Sequence, residues 1–122
     1  MPVIQIKSNI AFEADAKKHL LSSVARLTAD VMQKPMADVM VACLTADFIM
    51  DGKIDEAAVF VDFRSLSNVD RPTARQLCEG LLNIIQEQVP VDPARVYINF
   101  FEVCGEFAWR FRDGVAVCPK SP

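Results

Sequence analysis

The chain has 122 residues, enough for one domain with a sizeable core and too few for two. Thirteen basic residues against 16 acidic ones give a formal net charge of −3, which argues against a nucleic-acid or anionic-membrane partner, since phosphates call for a basic patch. At 52% hydrophobic residues and a mean hydropathy of +0.20 it is more apolar than a small monomer needs, which points to self-association.

The first predicted strand starts at Pro2 and runs through Val3-Ile4-Gln5-Ile6. On position alone, Pro2 reads as the start of an edge strand, where its missing N–H does no harm. Pro2 is also a candidate base. Removal of the initiator methionine, favoured before proline, leaves a free secondary amine. Such α-amino groups titrate near about 7.7–8.0, and burial or a nearby ammonium lowers that value.

After Phe12-Glu13-Ala14-Asp15, the spacing of Leu20, Leu21, Val24, Leu27 and Val31 predicts a long amphipathic helix that stops at Gln33-Lys34-Pro35. A strand from about Val39 to Leu44 is apolar on both faces, the pattern of a strand covered on both sides. Asp51-Gly52 marks a turn, and Ala57 to Leu66 reads as a second long strand. Asn68 or Asp70 then caps a helix with Pro72 in its first turn and Ala74, Leu77, Cys78, Leu81, Ile84 and Ile85 as its apolar stripe; Arg75, Glu79 and Glu87 mark its wet side. Val89-Pro90-Val91-Asp92-Pro93 ends that helix, and Arg95 to Cys104 is the next strand, broken by Gly105.

Each half is thus a strand, a helix, a proline-marked stop and a strand, and residues 34–39 loosely echo residues 91–96. Two right-handed βαβ units side by side give one domain over residues 1–122, an α/β (α+β two-layer) fold with a four-stranded mixed sheet and both helices on one face. The other face is expected to be bare and apolar, and its natural cover is the same face of other subunits in a closed symmetric ring.

No apolar run approaches the roughly 20 residues that span a bilayer, and the start of the chain has no signal-peptide pattern, so the expected compartment is the cytoplasm, with export by another route left open. Cys43, Cys78, Cys104 and Cys118 form no C-x-x-C pair and read as buried small hydrophobes rather than a disulfide framework or zinc site. His19 is the only histidine, so no metal site is expected.

Pro2, Lys34-Pro35 and the block Arg95-Val96-Tyr97-Ile98-Asn99-Phe100-Phe101 together resemble the macrophage migration inhibitory factor family of the tautomerase superfamily, over roughly residues 1–110. The resemblance implies a homotrimer with pockets between subunits and a keto–enol tautomerase acting, without a cofactor, on a phenylpyruvate- or dopachrome-like acid. Pro2 is then the general base. Lys34 matches the family lysine that holds the substrate carboxylate, and its charge would also lower the Pro2 pKa. Tyr97 and Asn99 match residues that reach the pocket from the adjacent subunit. Ser65 and Leu66 fall at a pocket loop, with the Leu66 N–H as oxyanion donor. Val3 lines the floor and Trp109 the rim.

The chain departs from the family at three places. Residues 50–56 replace a Phe-Gly-Gly-Ser type loop, and Ala57-Ala58-Val59-Phe60 stands where some members carry Cys-x-x-Cys, so thiol oxidoreductase activity is not expected. The tail after Trp109 is rewritten as Arg110-Phe111-Arg112-Asp113-Gly114. Two alternatives stay open: a cytokine-like protein-binding module with a vestigial pocket, and hydration or dehalogenation of an unsaturated acid, for which Arg110 and Arg112 would bind carboxylate.

Overall fold

The computed structural model describes residues 1–66 and 69–118. In chain order these form β1 (Val3–Ser8), α1 (Ala14–Met32), a 3₁₀ turn (Met36–Asp38), β2 (Met40–Thr45), β3 (Val59–Ser65), α2 (Arg71–Gln88), a 3₁₀ turn (Pro93–Arg95) and β4 (Val96–Glu102). A third 3₁₀ turn (Gly105–Phe107) leads to the short strands β5 (Arg110–Arg112) and β6 (Val115–Val117).

The main sheet has the order β2-β1-β3-β4. Strand β1 is parallel to β2 across α1, β3 is parallel to β4 across α2, and the two βαβ units join through the antiparallel pair β1–β3. The doubling expected from the sequence is therefore present, with both helices on one face.

That face is the core. Ile4, Ile6, Val61 and Phe63 from the central strands meet Leu20 and Val24 of α1 and Leu77, Leu81 and Ile85 of α2, all with no exposed area. Phe63 packs against Phe100 with ring centroids 5.1 Å apart. Both helices end where expected. Gln33 takes φ 53° and closes α1 just before Lys34-Pro35, while the Asp70 carboxylate accepts from the Thr73 amide and starts α2. Of the two caps read from the sequence, Asp70 is the one used, and Asn68 lies outside the described residues.

The opposite face differs from expectation. Strand pairing aligns Leu44-Lys7-Phe60-Tyr97, Ala42-Gln5-Asp62-Asn99 and Met40-Val3-Arg64-Phe101 in three cross-sheet rows. Its corners are apolar and its middle row polar, so the face is not uniformly apolar. Asp62 is only 7% exposed there because Arg64 folds over it, with Nε 3.2 Å from Oδ1, while the guanidinium lies over the Phe101 ring. Strand β2 is an edge strand, and Met40 and Leu44 are exposed, so the double cover expected for it is missing within the protomer. The cysteines are also less buried than read: Cys104 is exposed, and Cys43, Cys78 and Cys118 are half-buried. Burial pushes the Cys43 and Cys78 thiols up, which keeps them protonated at neutral pH.

The helices touch closely at one point. A Cβ added at Gly80 would stand 2.8 Å from both δ-carbons of Leu27. Alanine there gains about 1 kcal/mol of helix propensity but crowds Leu27. In a Leu27→Ala background Gly80→Ala should therefore stabilise by about 1 kcal/mol, and in the parent it should give no gain or a loss; chemical denaturation of the four proteins reads this coupling.

Candidate functional site

Pro2 heads a central strand and is fully buried, and its carbonyl accepts from the Met40 amide at 3.1 Å, which ties the start of β1 to β2. In its peptide bond to Met1 the Pro2 nitrogen is an amide without basicity; the chemistry expected of it requires Met1 to be cleaved. Around it opens a groove of about 680 Å³, lined by Met1 and Val3, by the segment Ala37–Val41, by Leu66, and by the stretch Phe107–Phe111 that includes Trp109. Trp109 is held by its indole N–H, which donates to the Glu106 carbonyl at 2.9 Å. Ser65 is buried at the end of β3, where its carbonyl accepts from the Val103 amide. Pro2, Val3, Ser65, Leu66 and Trp109 therefore gather at one end of the sheet.

Lys34 follows α1 and donates its backbone N–H to the Ala29 carbonyl. Its side chain is exposed and lies outside the lining of the groove. Tyr97 and Asn99 are placed elsewhere. They line a second hollow of about 280 Å³ with Phe48, Ile49, Met50, Phe60 and Arg95. Tyr97 pairs with Phe60, whereas the register puts Pro2 beyond Val3–Arg64, opposite Ser65. Five residues of strand separate the two levels, about 16 Å along the sheet, and Tyr97 lies two strands across. One protomer cannot bring Tyr97 and Pro2 onto the same small acid.

The second hollow owes its wall to a residue that the sequence reading left without a role. Arg95 is only 7% exposed and donates to four carbonyls of the β2–β3 connection: Met50 at 2.8 Å, Ala57 at 3.0 Å, and Lys53 and Glu56 at 3.2 Å. Asn9 clips the same connection through the Ile54 and Glu56 carbonyls and the Ala58 amide. The Asp51-Gly52 turn, both residues at positive φ, is thereby fixed beside Tyr97. A planar guanidinium suits this task because its fork of donors can serve several carbonyls at once.

The first groove has a comparable fastening. Strands β5 and β6 form a hairpin turned by Asp113 and Gly114, again both at positive φ. This hairpin went unread, although Asp-Gly between Phe111 and Val115 is the signal for it. Arg110 Nη1 donates to Asp38 Oδ1 at 2.8 Å and thereby holds the hairpin to the turn that leads into β2. The Arg110 guanidinium holds the Asp38 carboxyl below the usual carboxylate range, with smaller contributions from the amino terminus and Arg112. Among the described residues no group of three His, Cys, Asp or Glu side chains converges as a metal site, and no helix is long and apolar enough to cross a membrane.

Paired βαβ units sharing one mixed sheet, with a buried proline at the head of the first strand, are the fold of the tautomerases. The model of the macrophage migration inhibitory factor family matches residues 1–110, and the chain belongs to that family, within the tautomerase superfamily. The macrophage migration inhibitory factor-like protein of Entamoeba histolytica superposes with a TM-score of 0.82 at 20% identity, over 91% of this chain and 95% of that one. Pt0534 inactivated by 2-oxo-3-pentynoate gives 0.79 at 14% identity, over 87% and 89%. A fused 4-OT wild-type symmetric trimer gives 0.75 at 15%, over 84% and 86%. No curated protein matches the chain by sequence.

Replacing Arg95 with methionine strands four carbonyls and should cost roughly 3 kcal/mol. Amide exchange at Lys53, whose N–H donates to the Met50 carbonyl, should rise with it, and Arg95→Lys should recover only part of the loss. The Asp38 latch should respond to acid. A depressed folded-state pKa contributes stability that is present above the unfolded value and is lost as pH falls through the folded one. Trp109 fluorescence should report loss of the Arg110–Asp38 pair below the usual carboxylate range, and Asp38→Asn should show the same signal at neutral pH with the β5–β6 pairing kept.

Proposed function

We propose that this chain is a keto–enol tautomerase acting on a small aromatic 2-oxo acid, phenylpyruvate- or dopachrome-like, with the Pro2 amine as general base once Met1 has been removed. The observation that carries this reading is the fully buried Pro2 at the edge of the 680 Å³ groove, in a chain of this family. Burial disfavours an ammonium, so a free Pro2 amine there is tuned toward neutral pH, where a base exchanges protons best.

In the enol-to-keto direction the amine takes the enol O–H proton as the C–O bond becomes a carbonyl, and the ammonium so formed delivers a proton to the adjacent carbon. No cofactor is required. Lys34 serves as the cation for the substrate carboxylate from the exposed end of α1, and the Leu66 N–H as the donor to the developing oxyanion. Val3 forms the floor, Ser65 stands with Leu66 at the pocket loop, and Trp109 covers the rim.

Tyr97 and Asn99 contribute from a neighbouring subunit in a homotrimer. The 16 Å separation derived from the strand register supports this, as do the exposed corners of the open sheet face and the symmetric trimer among the structural neighbours. A 2-oxo acid suits the site as well, since Pt0534 is described with an acetylenic 2-oxo acid as its inactivator. The unsaturated-acid alternative loses part of its support, because Arg110 is already paired with Asp38. The binding-module alternative draws on the exposed Phe107, Trp109 and Phe111 along the rim.

The test is ketonisation of phenylpyruvate by protein whose intact mass shows Pro2 at its amino terminus. Pro2→Ala should lower kcat/KM by at least about 100-fold, and sedimentation should give three chains per particle. Absence of turnover by a free-Pro2 trimer would overturn the tautomerase reading in favour of the binding module.

A further inference from the structure

We propose that Arg110 is a positioning residue which keeps the Asp38 carboxylate from pairing with the amine at Pro2. The inference rests on the reading of Pro2 as the base, and it concerns the two residues that the rewritten tail and the first 3₁₀ turn bring together.

The backbone sets the stage. The Met40 amide bonds to the Pro2 carbonyl, and the turn Met36–Asp38 ends two residues earlier, so Asp38 stands over the start of β1. Asp38 lines the same groove as Met1 and Val3, the residues on either side of Pro2. A free carboxylate at this place is a ready partner for an ammonium. Such a pair stabilises the protonated amine and withdraws the lone pair on which proton transfer depends.

Arg110 removes that partner. Its Nη1 lies 2.8 Å from Asp38 Oδ1, and it arrives on β5 from 72 residues away, so the contact is made by tertiary structure alone. The other charges around the groove do not substitute for it. The amino-terminal ammonium and Arg112, on the same strand as Arg110, act on Asp38 only through space. Arg64, opposite Val3 in the register, is committed to Asp62, and Lys34, the cation proposed for the substrate carboxylate, is exposed beyond α1 and is not among the charges that act on Asp38. Glu102 ends β4 in register with Ser65, and Glu106 precedes Phe107 of the lining; both are exposed and neither is in the groove lining. Among the described residues Arg110 is the side chain that pairs directly with Asp38, the carboxylate in the groove lining. A basic residue thus favours the unprotonated amine without touching it.

The experiment is a titration of the amine itself, on folded protein treated with methionine aminopeptidase and labelled with ¹⁵N-proline, without substrate. Arg110→Gln should move the titration up by about one pH unit, and Arg110→Lys should leave it near the parent. Asp38→Asn combined with Arg110→Gln should return it to the parent, because the anion is then gone. An Arg110→Gln amine that titrates with the parent, or a rise that persists in the double variant, overturns the proposal. Should Arg110→Gln fail to fold, Asp38→Asn alone still decides: its amine should titrate at or below the parent, and a rise overturns the proposal. No turnover enters the readout, so a chain without tautomerase activity fails the proposed function and leaves this test standing.

Discussion

The antiparallel seam between β1 and β3 is the constraint on which the rest of the molecule depends. Ile4 opposite Phe63 and Ile6 opposite Val61 lock two βαβ units into one sheet, and both pairs are fully buried. A slip of one residue would turn these side chains to the open face, so the register is strongly specified. The same register decides the placement of chemistry. It sets Pro2 beside Ser65 at one end of the sheet and carries Tyr97 to the other, beside Phe60 and the β2–β3 connection. A site that uses both ends must be assembled from more than one chain.

Helices supply the counterpart of that constraint. Two helices cover one face of four strands, and their apolar stripes are used up doing so. The other face keeps apolar corners around a polar middle, where Asp62 shelters under Arg64 in the middle row with Gln5 and Asn99. A surface of this kind specifies an interface better than a greasy one. At an interface, charged and amide groups add specificity more than affinity, and apolar side chains provide the area.

The periodic elements were legible in the sequence because their signals are local. Leu20, Val24 and Leu27 recur along one helix face, and the stop at Gln33-Lys34-Pro35 combines a left-handed residue with a proline two places on. The doubled architecture followed from seeing that pattern twice. The burial of Pro2 was not derivable from its own position; it follows from the pairing of β1 with two neighbours. Arg95, which the family resemblance brought to notice, reads as a strand residue in sequence, yet its guanidinium serves a loop 38 to 45 residues away. The Arg110–Asp38 pair spans 72 residues and joins two segments without periodicity of their own. Long-range polar contacts leave no mark in a linear pattern. The β5–β6 hairpin is the exception, since Asp113-Gly114 marks it locally.

Asp38 and Arg95 occupy equivalent places in the two halves, each the last residue of the 3₁₀ turn that feeds an outer strand. The repeated backbone offers the same socket twice, at opposite ends of the sheet, and the chain fills one with an anion and the other with a cation. The anion recruits a hairpin through its arginine, while the cation gathers the carbonyls of a connection. Specialisation of the two ends thus needs no change of fold, only a change of charge at one repeated position. A scaffold built in this way can acquire new rims by exchanging the segment that plugs into each socket, while its core and seam stay as they are.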